Sequence, residues 1–171
     1  MRRSDDTQNI LQRWREAVPD DRLAHLIKDV ARAQMRALQS RLAVYGISFG
    51  HWTFLRILWE HDGLTQRELS DQAGVMEPTT FTAVKAMEKQ GLLERRQLPG
   101  NRKNMHVYLT TQGRDLKARL VPLAEEVNHV SVQAIRPADV ANARKVLLGI
   151  LANLAQDESV TNRQSQRKNA S

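Results

Sequence analysis

Residues 64–96 read LTQRELSDQAGVMEPTTFTAVKAMEKQGLLERR. Thr65 followed three positions later by Glu68 is a capping box, in which two side chains and two backbone N–H groups satisfy one another at a helix start. A short helix to about Ala73 follows, with Leu69 and Ala73 as its inner face. GVM at 74–76 is a tight turn containing a glycine. A second helix spans about Glu77 to Gln90, with Pro78 tolerated in its first turn and Gly91 standing where a helix ends. Two short helices joined by such a turn form a helix-turn-helix.

The next stretch completes the unit. LLERR at 92–96 and MHVYL at 105–109 read as strands, the second alternating with Met105, Val107 and Leu109 on one face. Between them QLPGNRKN (97–104) bends at Pro99 and Gly100, bracketed by Arg95, Arg96, Arg102 and Lys103. A solvated loop needs no such concentration of charge, whereas a loop that meets a polyanion does. A basic hairpin directly after a helix-turn-helix makes a winged helix. The second helix can enter a major groove, and the hairpin can reach backbone phosphates or the adjacent minor groove.

These elements supply the candidate contacts. The second helix offers Pro78, Thr79, Thr80, Thr82 and Lys85. A threonine hydroxyl both donates and accepts, and its methyl can meet a thymine methyl. Thr79 and Thr80 stand about 100° apart on a helix, so not all of these can face DNA. The wing offers Arg95, Arg96, Asn101, Arg102 and Lys103, and Gln66 at the first-helix start can approach a phosphate. Threonines near a helix start can equally be caps, and a charged turn can be merely solvated; their juxtaposition favours DNA.

Both flanks are helical. ILQRWREAV (10–18) reads as a short helix before Pro19, after a disordered N-terminus over 1–9. From Asp20, Leu23, Leu26, Ile27, Val30, Leu38, Leu42 and Tyr45 make one apolar stripe, ended by Gly46. Ser48 can cap a strongly apolar helix over 49–62. His61 and Asp62, beside the Gly63 turn, are expected to face solvent. Thr110 or Thr111 can cap a helix to about 133 that Pro122 can kink, and Pro137 starts a last helix. The fold class is therefore mainly α with a small β-hairpin wing. Segments 10–45 and 111–156 are expected to dimerise through residues 10–30 and 123–155. Residues 46–110 form the DNA-binding lobe, and 157–171 a polar basic tail.

Composition narrows the function. The 171 residues carry a formal charge of +7, which favours nucleic acid as partner. Cysteine is absent, which excludes disulfides and thiolate metal sites and fits a reducing cytoplasm. There is no apolar run of transmembrane length, and the start lacks the apolar stretch of a secretory signal. No Gly-rich phosphate loop, G-x-S-x-G elbow or H-E-x-x-H motif is present, and the five histidines are scattered. Neither an enzyme nor a metal or cofactor site is expected.

The stretch 64–96, the wing, the following LTTQGR and the preceding ISFGHWTFLRIL together resemble the MarR family of bacterial winged-helix regulators, over about residues 20–155. The resemblance implies a homodimer that binds a palindromic operator, usually as a repressor, and is released by a small aromatic or phenolic acid. Arg41, Tyr45, His51 and Trp52 are the candidate ligand residues; an arginine and a histidine beside aromatics could hold a carboxylate and a ring. Arg102 matches the family's wing arginine. Leu98 and Asn101 stand near where members often carry an aspartate, Thr82 where they often carry arginine, and Lys85 where they often carry aspartate. The alternative is a winged-helix docking module that binds protein without specific DNA binding.

Overall fold

The structure, a computed structural model, describes the backbone of residues 3–16, 23–98 and 101–168 and the side chains of 7–16, 23–97 and 105–158. In chain order the elements are α1 (Arg3–Glu16), α2 (Leu23–Leu42), a 3-10 turn (Ala43–Tyr45), α3 (Phe49–Glu60), β1 (Leu64–Thr65), α4 (Gln66–Ala73), α5 (Glu77–Lys89), β2 (Leu93–Leu98), β3 (Asn101–Leu109), α6 (Thr111–Asp115), α7 (Lys117–Ser131) and α8 (Pro137–Lys168). The chain divides into two compact units, Met1–Asn128 and His129–Ser171. No helix among the described residues is long and apolar enough to cross a membrane.

The helix starts follow their capping chemistry. Ser48 Oγ accepts from the His51 N–H at 3.1 Å. At α4 the Glu68 N–H donates to Thr65 Oγ1 at 3.2 Å, while the Thr65 N–H donates to the Glu68 carboxylate at 2.8 Å. Thr110 caps α6 by accepting from the Gly113 N–H at 3.1 Å. The turn into α5 passes through Gly74 at φ +64°, a left-handed conformation that side chains with a Cβ resist.

The hairpin is part of a larger sheet than the sequence suggests. Three antiparallel strands run in the order β1-β3-β2, with Leu64 opposite Val107 and Leu93 opposite Leu109. The two-residue strand β1 is too short to show a period. Asp62 fixes this sheet instead of merely facing solvent. Its Oδ1 accepts from the Leu109 N–H at 2.8 Å, and its Oδ2 accepts from Arg114 at 2.8 Å. On the neighbouring turn, Trp59 Nε1 donates to the Gly113 carbonyl at 2.9 Å. Gly113 admits no side chain, because a Cβ there would stand 2.1 Å from the Leu92 carbonyl oxygen.

Three boundaries differ from expectation. Helix α1 starts at Arg3, within the segment expected to be disordered, and α8 continues to Lys168, through most of the expected polar tail. Charged and amide-bearing residues are adequate helix formers, so polarity alone does not mark a helix end. The helix expected over 111–133 is divided at Leu116, and Pro122 lies inside α7 without ending it. Trp14 Nε1 donates to Asp29 at 3.2 Å and Arg36 to Thr7 at 3.2 Å, tying α1 to α2.

The core of the first unit sits where α2, α3, α4, α5 and the sheet converge. Leu42, Leu55, Leu58, Leu69, Val84 and Met87 are fully buried there, each burial favourable by roughly 1.5–3 kcal/mol. Two hydroxyls share this core: Ser70 of α4 is 2% exposed and Thr80 of α5 is 0% exposed. They lie 2.8 Å apart and hydrogen-bond, and Ser70 Oγ is also 2.8 Å from the Gln66 carbonyl oxygen. Thr80 donating to Ser70 and Ser70 donating to the carbonyl uses both protons. Ser70→Ala leaves the buried Thr80 hydroxyl without this partner. It should destabilise the chain by about 1–3 kcal/mol in urea melts, and Thr80→Val, which keeps the shape, should recover part of the loss in the same chain.

Candidate nucleic-acid interface

Helix α5 turns one face into the core and the other outward. Thr80, Val84 and Met87 follow the i, i+4, i+7 spacing of a single face, and all three are buried. Their phase fixes the rest. Pro78, Thr79, Thr82 and Lys85 are exposed. Thr82 Oγ1 donates to the Pro78 carbonyl at 2.9 Å, which directs its oxygen along the helix and leaves it able to accept. Thr80 leaves the set of candidate contacts, because its side chain is sealed between α4 and α5. The sequence carries this phase in the spacing of Thr80, Val84 and Met87.

The wing lies next to α5 through β2. Arg95 Nη2 and Nε donate to the Glu88 carboxylate of α5 at 2.7 and 3.1 Å. The Arg95 guanidinium is thus committed to a carboxylate, where the sequence suggested a phosphate. Arg96 contacts Glu94, and its guanidinium carbon lies 5.2 Å from the centre of the Tyr108 ring. Arg96 remains largely exposed. Asn101, Arg102 and Lys103 start β3, and their side chains lie outside the described residues. Gln66 is half-buried at the start of α4. There the Glu68 carboxylate already takes the Thr65 N–H and hydroxyl, at 2.8 and 2.7 Å. These bonds hold the Glu68 carboxyl below the usual carboxylate range. The capping box thus takes the N–H groups of Thr65 and Glu68 at this helix start.

One exposed residue of α5 escaped the sequence reading. Phe81 is 48% exposed, with Lys85 Nζ 6.0 Å and the Arg95 guanidinium carbon 5.8 Å from its ring centre. Nothing local signals this pairing, since Arg95 approaches from a separate strand.

The four candidate ligand residues have different surroundings. Arg41 donates to Glu126 at 3.0 Å and to the Ala37 carbonyl at 3.1 Å, and the Glu126 bond raises its pKa. Tyr45 is exposed in the 3-10 turn. His51 is half-buried, and burial lowers its pKa. Trp52 is buried and meets Trp59 edge-to-face, ring centres 5.6 Å apart. Of the four, Trp52 alone lines a cleft of about 280 Å³ between α3 and α7. Arg56, Trp59, Glu60, Lys117 and Glu125 are among its other walls. The cleft is therefore aromatic with balanced charge.

The family model for MarR matches residues 47–105, from the turn before α3 into β3. The crystal structure of the transcriptional regulator PA3341 is 33% identical, covers 78% of this chain and 98% of that one, and superposes with a TM-score of 0.68. The chain belongs to the MarR family. Another MarR family member, from Listeria monocytogenes, was solved with a 26mer DNA. It is 25% identical, covers 81% of this chain and 91% of that one, and has a TM-score of 0.68. The organic hydroperoxide resistance transcriptional regulator of Bacillus subtilis (strain 168) is 25% identical over 137 residues, covering 80% of this chain and 92% of that one. The chain is thus a MarR-type transcriptional regulator with the winged helix-turn-helix fold.

The Glu88–Arg95 pair gives this site a measurable signature. Its hydrogen bonds to Arg95 hold the Glu88 carboxyl below the usual glutamate range. A depressed folded-state value means the pair's contribution is present above the ordinary glutamate pKa and is lost as pH falls through the folded one. NMR titration of the Glu88 carboxyl should show a midpoint below that of exposed glutamates, returning to the ordinary value in Arg95→Ala.

Proposed function

We propose that this chain is a homodimeric, sequence-specific double-stranded DNA-binding repressor that acts on a palindromic operator and is released by a small ligand. The observation that carries the reading is the outward face of α5. Thr79, Thr82 and Lys85 stand exposed there, each within one helical turn of the next, on a helix whose inner face is locked into the core. The strands of the wing border the same helix through Glu88–Arg95. The relative solved with a 26mer DNA supports the same use of this fold. In this reading Thr79, Thr82 and Lys85 enter the major groove, while Arg96, Asn101, Arg102 and Lys103 meet phosphates or the minor groove.

Dimerisation rests on unpartnered apolar side chains. Leu23, Leu26 and Val30 of α2 are exposed, and so, within the second unit, are Val146, Leu147, Leu151 and Leu154 of α8. Isolated exposed apolar residues are ordinary, whereas stripes of them along helices mark an interface. A C2 dimer would present two copies of α5 to two half-sites. For an effector, the cleft beside Trp52 and Trp59 suits a flat aromatic molecule. Such a ligand releases DNA only if it binds the non-operator arrangement more tightly. With no cysteine in the chain, the release cannot run through a thiol.

The test is selection of binding duplexes from a random pool, with light scattering of the free protein. An inverted repeat should be enriched, and the 19.5 kDa chain should run at twice that mass at micromolar concentration. Lys85→Ala should weaken binding to the selected duplex, and Arg102→Ala should weaken binding and lower the salt slope by about 0.9, the value for one phosphate contact. Absence of any duplex preference, together with a stable complex with another protein, would establish the docking alternative instead.

A further inference from the structure

We infer that Phe81 is a specificity-determining residue: its ring, beside Lys85 and Arg95, meets the C5-methyl group of a thymine in the major groove. The inference rests on the DNA-binding reading of α5 and goes beyond it, because it assigns a base contact to a residue with no hydrogen-bonding group.

Three observations carry it. First, Phe81 is 48% exposed on the same helix that presents Thr82 and Lys85. Phe81 and Lys85 are four residues apart, so they stand one above the other on neighbouring turns. Second, the ring is flanked by two cations, at 6.0 and 5.8 Å from its centre. Cations are attracted to the negative face of an aromatic ring, so each holds the phenyl group in place. Third, one of those cations is itself fixed. Glu88 takes two hydrogen bonds from Arg95, at 3.1 and 2.7 Å, and so sets the position of its guanidinium. A carboxylate, an arginine and an exposed phenyl thus form a chain of supports that ends at an apolar surface.

The occupant follows from the chemistry around that surface. The nearby charges on α5 and the wing select a polyanion, while the phenyl group selects something apolar within it. In a B-form duplex the apolar group displayed in the major groove is the thymine methyl, and phenylalanine is among the side chains that can meet it. The ring has two torsions to fix, and its neighbours already restrict them, so little side-chain freedom is lost on contact. Glu88 and Arg95 are positioning residues in this scheme. Arg95, which sequence reasoning offered to a phosphate, serves the base contact through Phe81.

The experiment starts from the duplex selected above with the 171-residue chain. Each thymine of one half-site is replaced in turn by deoxyuridine, which removes the methyl group alone, and affinity is read by fluorescence anisotropy at fixed salt. For the wild type, one thymine position should lose about threefold to fivefold in affinity, the worth of one buried methyl group. For Phe81→Ala the same replacement should change nothing, and Phe81→Leu should retain part of the sensitivity. Circular dichroism of both variants should match the wild type, since the residue is exposed. A flat deoxyuridine scan in the wild type, or equal methyl sensitivity in wild type and Phe81→Ala, overturns the inference while leaving DNA binding intact. Failure to enrich any sequence overturns the DNA-binding reading and this inference with it.

Discussion

The hydrogen bond between Ser70 and Thr80 sets the orientation on which the interface depends. It is a polar contact in an apolar core, linking α4 to α5 with both hydroxyls almost fully buried. Leaving either hydroxyl unpaired costs about 1–3 kcal/mol, so the pair favours one rotational phase of α5 over its neighbours. Each residue advances a helix by about 100°, so with Thr80 inward, Thr79 and Thr82 both lie outward, about 60° apart on one side of the helix. Val84 and Met87 continue the inward face and add apolar burial to the same choice.

A second set of contacts controls what the wing presents. Asp62 joins the end of β3 to α6 through the Leu109 N–H and Arg114, anchoring the base of the hairpin. Glu88 neutralises Arg95 at the side of α5, which takes one cation out of the phosphate-seeking set and turns it into a support for Phe81. The functional positive charge of the face is therefore smaller than the count of arginines suggests. The surface that remains is mixed, with hydroxyls, one aromatic ring and a few cations. Such a surface suits base readout as well as backbone attraction.

Much of this was legible in the sequence because it is local. Ser48, Thr65 with Glu68, and Thr110 cap their helices through bonds that span three residues, so spacing alone reveals them. The helix-turn-helix and the strands flanking Pro99 and Gly100 follow from periodicity and turn residues. What was not legible joins parts distant in the chain. Trp59 meets Gly113, Asp62 meets Leu109 and Arg114, and Arg41 meets Glu126. Composition cannot distinguish an arginine that ends in water from one that ends on a carboxylate. The same holds for the candidate ligand residues. Arg41 and Trp52 are near in sequence, yet one reaches towards Glu126 and the other enters the core. Thr80 is different: it was offered as a DNA contact, although its i, i+4, i+7 spacing with the inward Val84 and Met87 carried the signal that it is buried.

The most direct measurement of the central claim, that the outward face of α5 and the wing together read duplex DNA, is a paired footprint on a selected operator. Methylation of guanine N7 reports the major groove, and hydroxyl-radical cleavage reports the minor groove and backbone. The account predicts two patches of N7 interference about one duplex turn apart, each flanked by a short hydroxyl-radical protection from a wing. Backbone protection without any N7 interference, or one continuous patch with no two-fold repeat, would contradict it.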